Sequence, residues 1–164
     1  MSGRKYNPHI EVIPEDDANR QLANGFKDHP AVAQRNLDIR PVAEGWVHVL
    51  KVFEDEYVSF MRRHSAVHVV LLLDFDVKGE SRRELCEKHI PDDLKPRTFL
   101  IGTSDTPEGF KKNMNLTLEK LGFELAAGCD REDLGLWTHP HLAHNLDEVK
   151  RMRQTIHGIL FAKG

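Results

Sequence analysis

The residues with the clearest chemical potential are carboxylates that follow apolar runs. The most apolar run of the chain is followed by Asp74-Phe75-Asp76, and an earlier apolar run is followed by Glu15. In an extended backbone, successive side chains point to opposite sides, so Asp74 and Asp76 share one side while Phe75 turns away towards packing. Two carboxylates this close repel each other, and Mg²⁺ relieves the repulsion while leaving room for phosphate oxygens. The spacing therefore indicates a Mg²⁺ or Mn²⁺ site suited to phosphodiester cleavage.

Further acids follow other apolar runs. Asp105 and Glu108 come after the last of these runs, and we expect them to complete the metal-binding acid cluster. Asp16 and Asp17 follow Glu15 directly, and we expect them to be solvated acids at the start of a helix. Acids at strand ends also serve as helix caps and turn formers, so a purely structural role for the whole set stays open.

Basic residues follow the same acids along the chain. Lys78, Arg82 and Arg83 come after the aspartate pair, and Lys111 and Lys112 come after Glu108. We expect Lys78, Arg82 and Lys111 to contact phosphate at the rim of the acidic pocket. Solvated helix faces would explain the same residues.

Three histidines stand close together near the end of the chain, in the segment HPHLAH. Neutral imidazoles bind transition metals, but no cysteine is near and the proline bends the chain, so a polar loop is the favoured interpretation of His139 and His141. His144 is an accessory candidate, as a general acid or a phosphate contact, if the C-terminal segment folds over the strand ends.

Strands that alternate with helices are needed to position these side chains. Short apolar or alternating runs predict strands at residues 9–14, 37–42, 67–73 and 97–102, and helical spacing predicts helices at 18–28, 46–63, 81–89, 107–127 and 145–156. A break in the helix at 107–127 is expected near Asn113 to Asn115 or at Gly122. Asn145, with Glu148 three residues on, is typical of a helix cap. The alternation predicts an α/β fold: an open, mainly parallel sheet of about four strands with helices on both faces, plus a helical C-terminal extension.

We expect one domain, residues 1–164, with an α/β core at 9–130 and the extension at 131–164. Ligands bind beyond the carboxyl ends of strands in such sheets, so the acids are predicted to meet at that edge.

Composition excludes some functions. The 164 residues include 23 Lys plus Arg and 26 Asp plus Glu, a formal charge of −3, which argues against a generic basic binder of nucleic acid. No run approaches the ~18 apolar residues of a membrane helix, and the polar start lacks the apolar stretch of a signal peptide. Cys86 and Cys129 indicate neither a disulfide framework nor a zinc site. We therefore expect a cytoplasmic protein.

The order of these motifs resembles the Toprim domain of type IA and II topoisomerases, bacterial primases and the overcoming-lysogenization-defect nucleases. The resemblance lies in an apolar strand ending at Glu15 (IEVIPE), a second strand with the turn glycine Gly45 (IRPVAEG) and the D-x-D of Asp74 and Asp76 (LLLDFD). The stretch DFDVKGE also echoes the D-x-D-x-x-G-E form of the topoisomerase branch. The resemblance covers about residues 9–112, and Asp16 stands where the family usually has a glycine.

This resemblance implies a function on nucleic acid. Glu15 would be an acid/base or ligand residue, Asp74 and Asp76 would bind Mg²⁺, and Glu108 would be an extra acid of the nuclease branch. The implied activity is that of a metal-dependent nuclease or phosphoryl-transfer domain, in defence or nucleic-acid metabolism, on DNA or RNA. A chain of this size would need a homodimer or a partner protein to hold such a substrate.

Two alternatives stay open. The stretch EVIPEDDANRQL also resembles the start of a response-regulator receiver, in which Asp74 would accept a phosphoryl group and Thr103 or Ser104 would be the switch hydroxyl. That family has a Lys-Pro pair after its fifth strand, and no Lys-Pro pair stands at the corresponding place in this chain, after the run RTFLIG. The second alternative is a non-catalytic α/β scaffold that binds a partner.

Overall fold

Four strands and seven α-helices alternate along the chain in the computed structural model, which describes residues 7–75, 79–104 and 107–161. The strands are β1 (His9–Pro14), β2 (Leu37–Ile39), β3 (Val67–Asp74) and β4 (Thr98–Thr103). The helices are α1 (Asp17–Asp28), α2 (Trp46–Val52), α3 (Val58–Arg63), α4 (Gly79–Glu87), α5 (Pro107–Met114), α6 (Leu118–Asp130) and α7 (Leu146–Leu160).

The strands form one parallel sheet in the order β2-β1-β3-β4. Every residue of β3 is buried, as expected for a central strand covered on both faces. The predicted α/β fold with an open parallel sheet is therefore confirmed. β2 is shorter than predicted, because the ladder ends where Arg40 N donates to Val12 O and Pro41 has no N–H to continue it.

Helices cover both faces of the sheet. One core contains side chains of α1, α6 and α7, and the other contains side chains of α2, α3 and α4. Helices α1 and α6 approach closely at two glycines: a Cβ on Gly25 would lie 1.9 Å from Glu119 O, and one on Gly122 would lie 1.9 Å from Leu22 O. This close packing fixes α1, whose first turn faces the predicted site.

Two predicted helices are interrupted in the structure. The helix predicted for 46–63 contains a π-helical turn at Phe53–Tyr57, between α2 and α3. The helix predicted for 107–127 is broken at the first of its two expected places, where Asn115 has a left-handed φ of 54° and Thr117 caps α6 by accepting from Lys120 N. None of the described helices is long and apolar enough to cross a membrane.

The C-terminal helix α7 completes the outer edge of β4. Asn145 Nδ2 donates to Gly102 O and its Oδ1 accepts from Gly102 N, at 2.6 and 3.1 Å. One turn later Glu148 Oε2 accepts from Leu100 N at 2.8 Å. Asn145 is the N-cap residue of α7, as predicted, but its side chain makes no capping bond to the helix, because its amide replaces the missing neighbour of an edge strand.

Candidate functional site

Three carboxylates converge at the carboxyl edge of the sheet. Glu15 follows β1, Asp16 precedes α1 and Asp74 ends β3; one oxygen from each lies within 4.8 Å of the others. The parallel register causes the convergence, since Pro14 pairs with Leu72 and the ladder extends one residue further through Glu15 N–H to Leu72 O at 2.9 Å. We call Glu15, Asp16 and Asp74 the acidic cluster.

A buried amide holds two members of the acidic cluster together. Asn19 is fully buried, and its Nδ2 donates to Asp16 Oδ1 and to Asp74 Oδ1, each at 3.0 Å. Asp16 Oδ1 also accepts from Asn19 N at 2.9 Å, which is the N-cap of α1. Glu15 is oriented in turn by the backbone of its neighbour, because Asp74 N–H donates to Glu15 Oε1 at 3.0 Å.

Asp74 is the electrostatically perturbed member. Burial raises the pKa of its carboxyl, the hydrogen bond from Asn19 lowers it in part, and the charges of Glu15, Asp16 and Glu108 raise it again, so that it reaches about 7. Its ionised form is therefore much less favoured than that of an ordinary aspartate. Such perturbed carboxyls beside like charges are typical of functional sites.

The predicted acids differ in where they lie. Glu15 and Asp74 are adjacent, whereas Asp76 and Asp105 lie outside the described residues. Glu108 is exposed in the first turn of α5 and acts on Asp74 through its charge, without joining the three converging oxygens.

Asp16 is the member that sequence reasoning missed. It was expected to be only a solvated acid at a helix start, and it is both the cap of α1 and part of the acidic cluster. An Asp directly before the start of a helical run is the signal that a cap was present. The sequence holds no signal that the same cap would face Asp74.

Arg82 lies beside the acidic cluster. Its Nη1 donates to the carbonyl oxygen of Asp74 at 2.6 Å, and its guanidinium lies 5.0 Å from the centre of the Trp46 ring. The side chain is partly exposed. A guanidinium in this position can present further N–H groups to an anion.

The other predicted basic contacts are placed differently. Arg83, which follows the aspartate pair like Arg82, is buried and donates to Leu100 O and Asn145 Oδ1. Lys111 is exposed on α5 and lines a surface groove with Glu108. Lys78 lies outside the described residues.

The histidine segment packs at the same edge of the sheet. Ser104 N–H donates to His141 O at 3.0 Å, and the rings of His139 and His141 stack with centroids 5.3 Å apart. His144 packs edge-on against Phe75 at 5.4 Å, and its Nδ1 lies 3.2 Å from Arg83 Nη2. Within the described ranges, these histidines do not form a group with metal-ligand spacing.

The acidic cluster can accommodate a hard divalent cation. Oxygens bound to one Mg²⁺ at ~2.1 Å are at most about 4.2 Å apart, so a cation would draw the three oxygens slightly together. No family model matches the chain, and no curated protein or solved structure matches it. The geometry of the acidic cluster is therefore the basis for assigning a function.

Proposed function

We propose that this chain is a Toprim-like domain that uses Mg²⁺ or Mn²⁺ to cleave or transfer phosphodiesters of nucleic acid. The main supporting observation is the convergence of Glu15, Asp16 and Asp74 within 4.8 Å at the carboxyl edge of a parallel sheet. Ligands of open α/β proteins bind at this edge.

The raised pKa of Asp74 is the second support. Burial and the neighbouring carboxylates together disfavour its ionised form. A bound cation would reverse this balance, because it favours the ionised form of every carboxylate around it. We therefore expect a divalent cation to bind the acidic cluster more tightly than it binds isolated surface acids.

The bound cation would supply a polarised phosphoryl oxygen and a water of lowered pKa. The residues of the chain orient the other groups. Asn19 fixes the Asp74 carboxylate, and Asp74 N–H fixes Glu15 Oε1. Glu15 would act as a ligand of the cation or as a proton acceptor. Arg82, anchored on the carbonyl of Asp74, presents its guanidinium to a phosphate oxygen at the rim.

In this proposal the nucleic acid is held by individual basic side chains near the acidic cluster and not by the net charge of the chain. With a formal charge of −3, the chain lacks a general attraction for phosphate, so Arg82 and the exposed Lys111 would supply local contacts. A second copy or a partner protein would extend the binding surface. DNA and RNA are both included in the proposal.

Metal binding is the decisive measurement. We expect Mn²⁺ titrated into the purified chain, followed by calorimetry, to bind at one saturable site, and Mg²⁺ to compete for it. Loss of a residue that only orients a ligand costs about 10- to 100-fold in metal affinity. Asp74→Asn and Glu15→Gln should cost at least as much.

Asp17→Asn is the matched control, because Asp17 is the exposed neighbour that bonds Arg20 instead of the acidic cluster. It should bind Mn²⁺ as the wild type does. Cleavage of single- and double-stranded DNA and RNA, with the same three variants, then tests the activity. Equal Mn²⁺ affinity in Asp74→Asn and Asp17→Asn would disprove the site.

A phospho-acceptor function is the second candidate, because of one observation. Asp74 pairs with Thr103 across β3 and β4, so the predicted acceptor and the predicted switch hydroxyl are neighbours. Transfer from acetyl phosphate would form an acyl phosphate on Asp74 and release acetate. A stable label that disappears in Asp74→Asn, without any cleavage of nucleic acid, would favour this candidate over the nuclease.

A further inference from the structure

The two tryptophans of the chain have different surroundings. Trp137 is buried in the core beneath α1, α6 and α7, and its Nε1–H donates to Leu125 O at 2.9 Å. Trp46, the first residue of α2, is partly exposed. Trp137 therefore fills the core, whereas part of the Trp46 side chain is open to a ligand.

The turn before Trp46 is bonded to the acidic cluster. The N–H groups of Glu44 and Gly45 both donate to the main-chain oxygen of Glu15, at 2.8 and 3.2 Å. Both residues have a positive φ, 64° and 118°, which is unfavourable for Glu44 because it carries a Cβ. Backbone conformations of this kind concentrate at ligand-binding sites. The turn holds the start of α2, and with it Trp46, at the carboxyl end of β1.

Arg82 connects Trp46 to the other side of the acidic cluster. Its Nη1 donates to the main-chain oxygen of Asp74 at 2.6 Å, and its guanidinium lies 5.0 Å from the centre of the Trp46 ring. A cation within about 6 Å of an indole ring is attracted to it. Glu15 and Asp74 thus anchor the indole and the guanidinium through their main-chain oxygens, while their carboxylates form the acidic cluster. We call Trp46 and Arg82 the Trp–Arg pair.

Apolar surface lies on the two helices that carry the Trp–Arg pair. Within the described ranges, the large apolar side chains that are exposed are Val47, at 58%, and Leu85, at 48%. Val47 follows Trp46 in α2, and Leu85 lies one turn after Arg82 in α4. The surface beside the acidic cluster therefore suits a ligand with a flat apolar face and an anionic end. An unpaired nucleotide has this form, since its base has an open π-face and its phosphate is an anion.

We propose that the Trp–Arg pair is a subsite for an unpaired nucleotide, whose base stacks on the indole ring of Trp46 while Arg82 donates to its phosphate. This inference rests on the proposed function, because it takes nucleic acid to be the substrate held at the acidic cluster. Bases inside a duplex stack on one another, so the subsite selects single-stranded DNA or RNA, or an unpaired end. Because Arg82 is bonded to Asp74, the phosphate of the stacked nucleotide is placed beside the acidic cluster.

Binding of short oligonucleotides to the full chain tests the subsite. The probes are a thymidine oligomer, a duplex of the same length and an abasic oligomer with the same number of phosphates, each labelled at one end and followed by fluorescence anisotropy. Ca²⁺ is present to offset the charge of the acidic cluster, and the length of each strand is checked after the titration. We expect the thymidine oligomer to bind about 10-fold more tightly than the abasic oligomer or the duplex, the contribution of one stacked base. Equal affinity for the thymidine and abasic oligomers, or no binding of either, would overturn the subsite.

Variants separate stacking from a structural role of the ring. Trp46→Leu should weaken binding of the thymidine oligomer about 10-fold and leave binding of the abasic oligomer unchanged, and Trp46→Phe should restore most of the affinity. Phe123→Leu is the matched control, because Phe123 is also a partly exposed ring beside a cation, with Lys120 Nζ 4.7 Å from its centre. It lies on α6, which covers the other face of the sheet, and the variant should bind as the wild type does. Equal affinities of Trp46→Leu and Phe123→Leu for the thymidine oligomer would overturn the subsite.

The fluorescence of the chain itself gives a second measurement. Stacking of a base should quench the emission of the wild type and of Phe123→Leu, but not that of Trp46→Phe, in which only Trp137 emits although the oligomer still binds. If Trp46→Leu does not fold, this quenching and the abasic comparison decide the question. Mn²⁺ titration keeps the two proposals apart, because Trp46 is not in the acidic cluster and Trp46→Leu should bind Mn²⁺ as the wild type does. Loss of Mn²⁺ binding in the wild type would remove the proposed function, whereas Mn²⁺ binding without any preference for the thymidine oligomer would remove only the subsite.

Discussion

Two buried carboxylates of the same sheet have opposite surroundings. Glu11, inside β1, is fully buried; its Oε2 lies 3.1 Å from His9 Nε2, and its Oε1 accepts from Tyr57 Oη at 3.0 Å. Arg40 Nε lies 3.8 Å from Glu11 Oε1. Asp74, at the end of β3, has one buried amide donor and two adjacent carboxylates.

The pKa values follow from these neighbours. Burial by itself raises the pKa of Glu11, but the hydrogen bonds from His9 and Tyr57 and the nearby positive charges outweigh it, so the pKa is lowered. The hydrogen bond to Glu11 raises the pKa of His9, against the effect of burial. Burial acts in the same direction on Asp74, where the neighbouring acids add to it.

The comparison shows which buried acid is structural. The charge of Glu11 is compensated by His9, Tyr57 and Arg40. Asp74 is only partly compensated, by the Asn19 amide, and is kept in the acidic cluster at a cost in stability. Residues that lower stability while they concentrate charge at a ligand-binding edge are typical of function.

Removal of the charge of Glu11 has the largest expected effect on the free energy of unfolding. Glu11→Gln keeps the shape but leaves His9 without its anionic partner, and breaking a buried ion pair costs about 3 kcal/mol. Urea unfolding at pH 6, where both partners are ionised, measures the loss. Glu124→Gln, which breaks only the exposed pair with Lys120, should change the free energy of unfolding by less than about 0.5 kcal/mol. Similar losses in the two variants would contradict the comparison.

Asp74→Asn should raise the free energy of unfolding, whereas Glu11→Gln lowers it. The variant keeps an acceptor for Asn19 and removes the charge that Glu15 and Asp16 oppose. The shift from 3.8 to about 7 corresponds to at most about 4 kcal/mol, and we expect a gain of about 2 kcal/mol at pH 8 without divalent cations. Urea unfolding of wild type and variant measures it.

The pH dependence of this gain is a further check. Below pH 3.8 Asp74 is protonated in both the folded and the unfolded state, so it does not lower the free energy of unfolding. The destabilisation by its charge grows as pH rises towards 7 and is complete above it. The advantage of Asp74→Asn should therefore be smaller at pH 5 than at pH 8. A constant advantage would show that it arises from packing and not from charge.

The sequence predicts the backbone elements better than the partners of side chains. Apolar runs predict the strands, and D-x-D spacing and the parallel topology predict that Glu15 and Asp74 share an edge. The role of Asn19 depends on the close packing of α1 on α6, through Gly25 and Gly122, which no local pattern reports. In the same way, Arg83 is basic in sequence like Arg82, and only the docking of α7 makes it a buried donor to Asn145.

The smallest expected effect on stability is that of Asp16, which both caps α1 and places a negative charge beside Asp74. Asp16→Asn keeps an N-cap acceptor for the Asn19 N–H and removes one charge beside Asp74, whereas Asp16→Ala also removes the cap, which costs about 1 kcal/mol. We expect the Asn variant to equal or slightly exceed the wild type in stability and to lower the pKa of Asp74, followed by its carboxyl carbon in NMR. If the Asn and Ala variants were equally stable, Asp16 would act on Asp74 only through its charge.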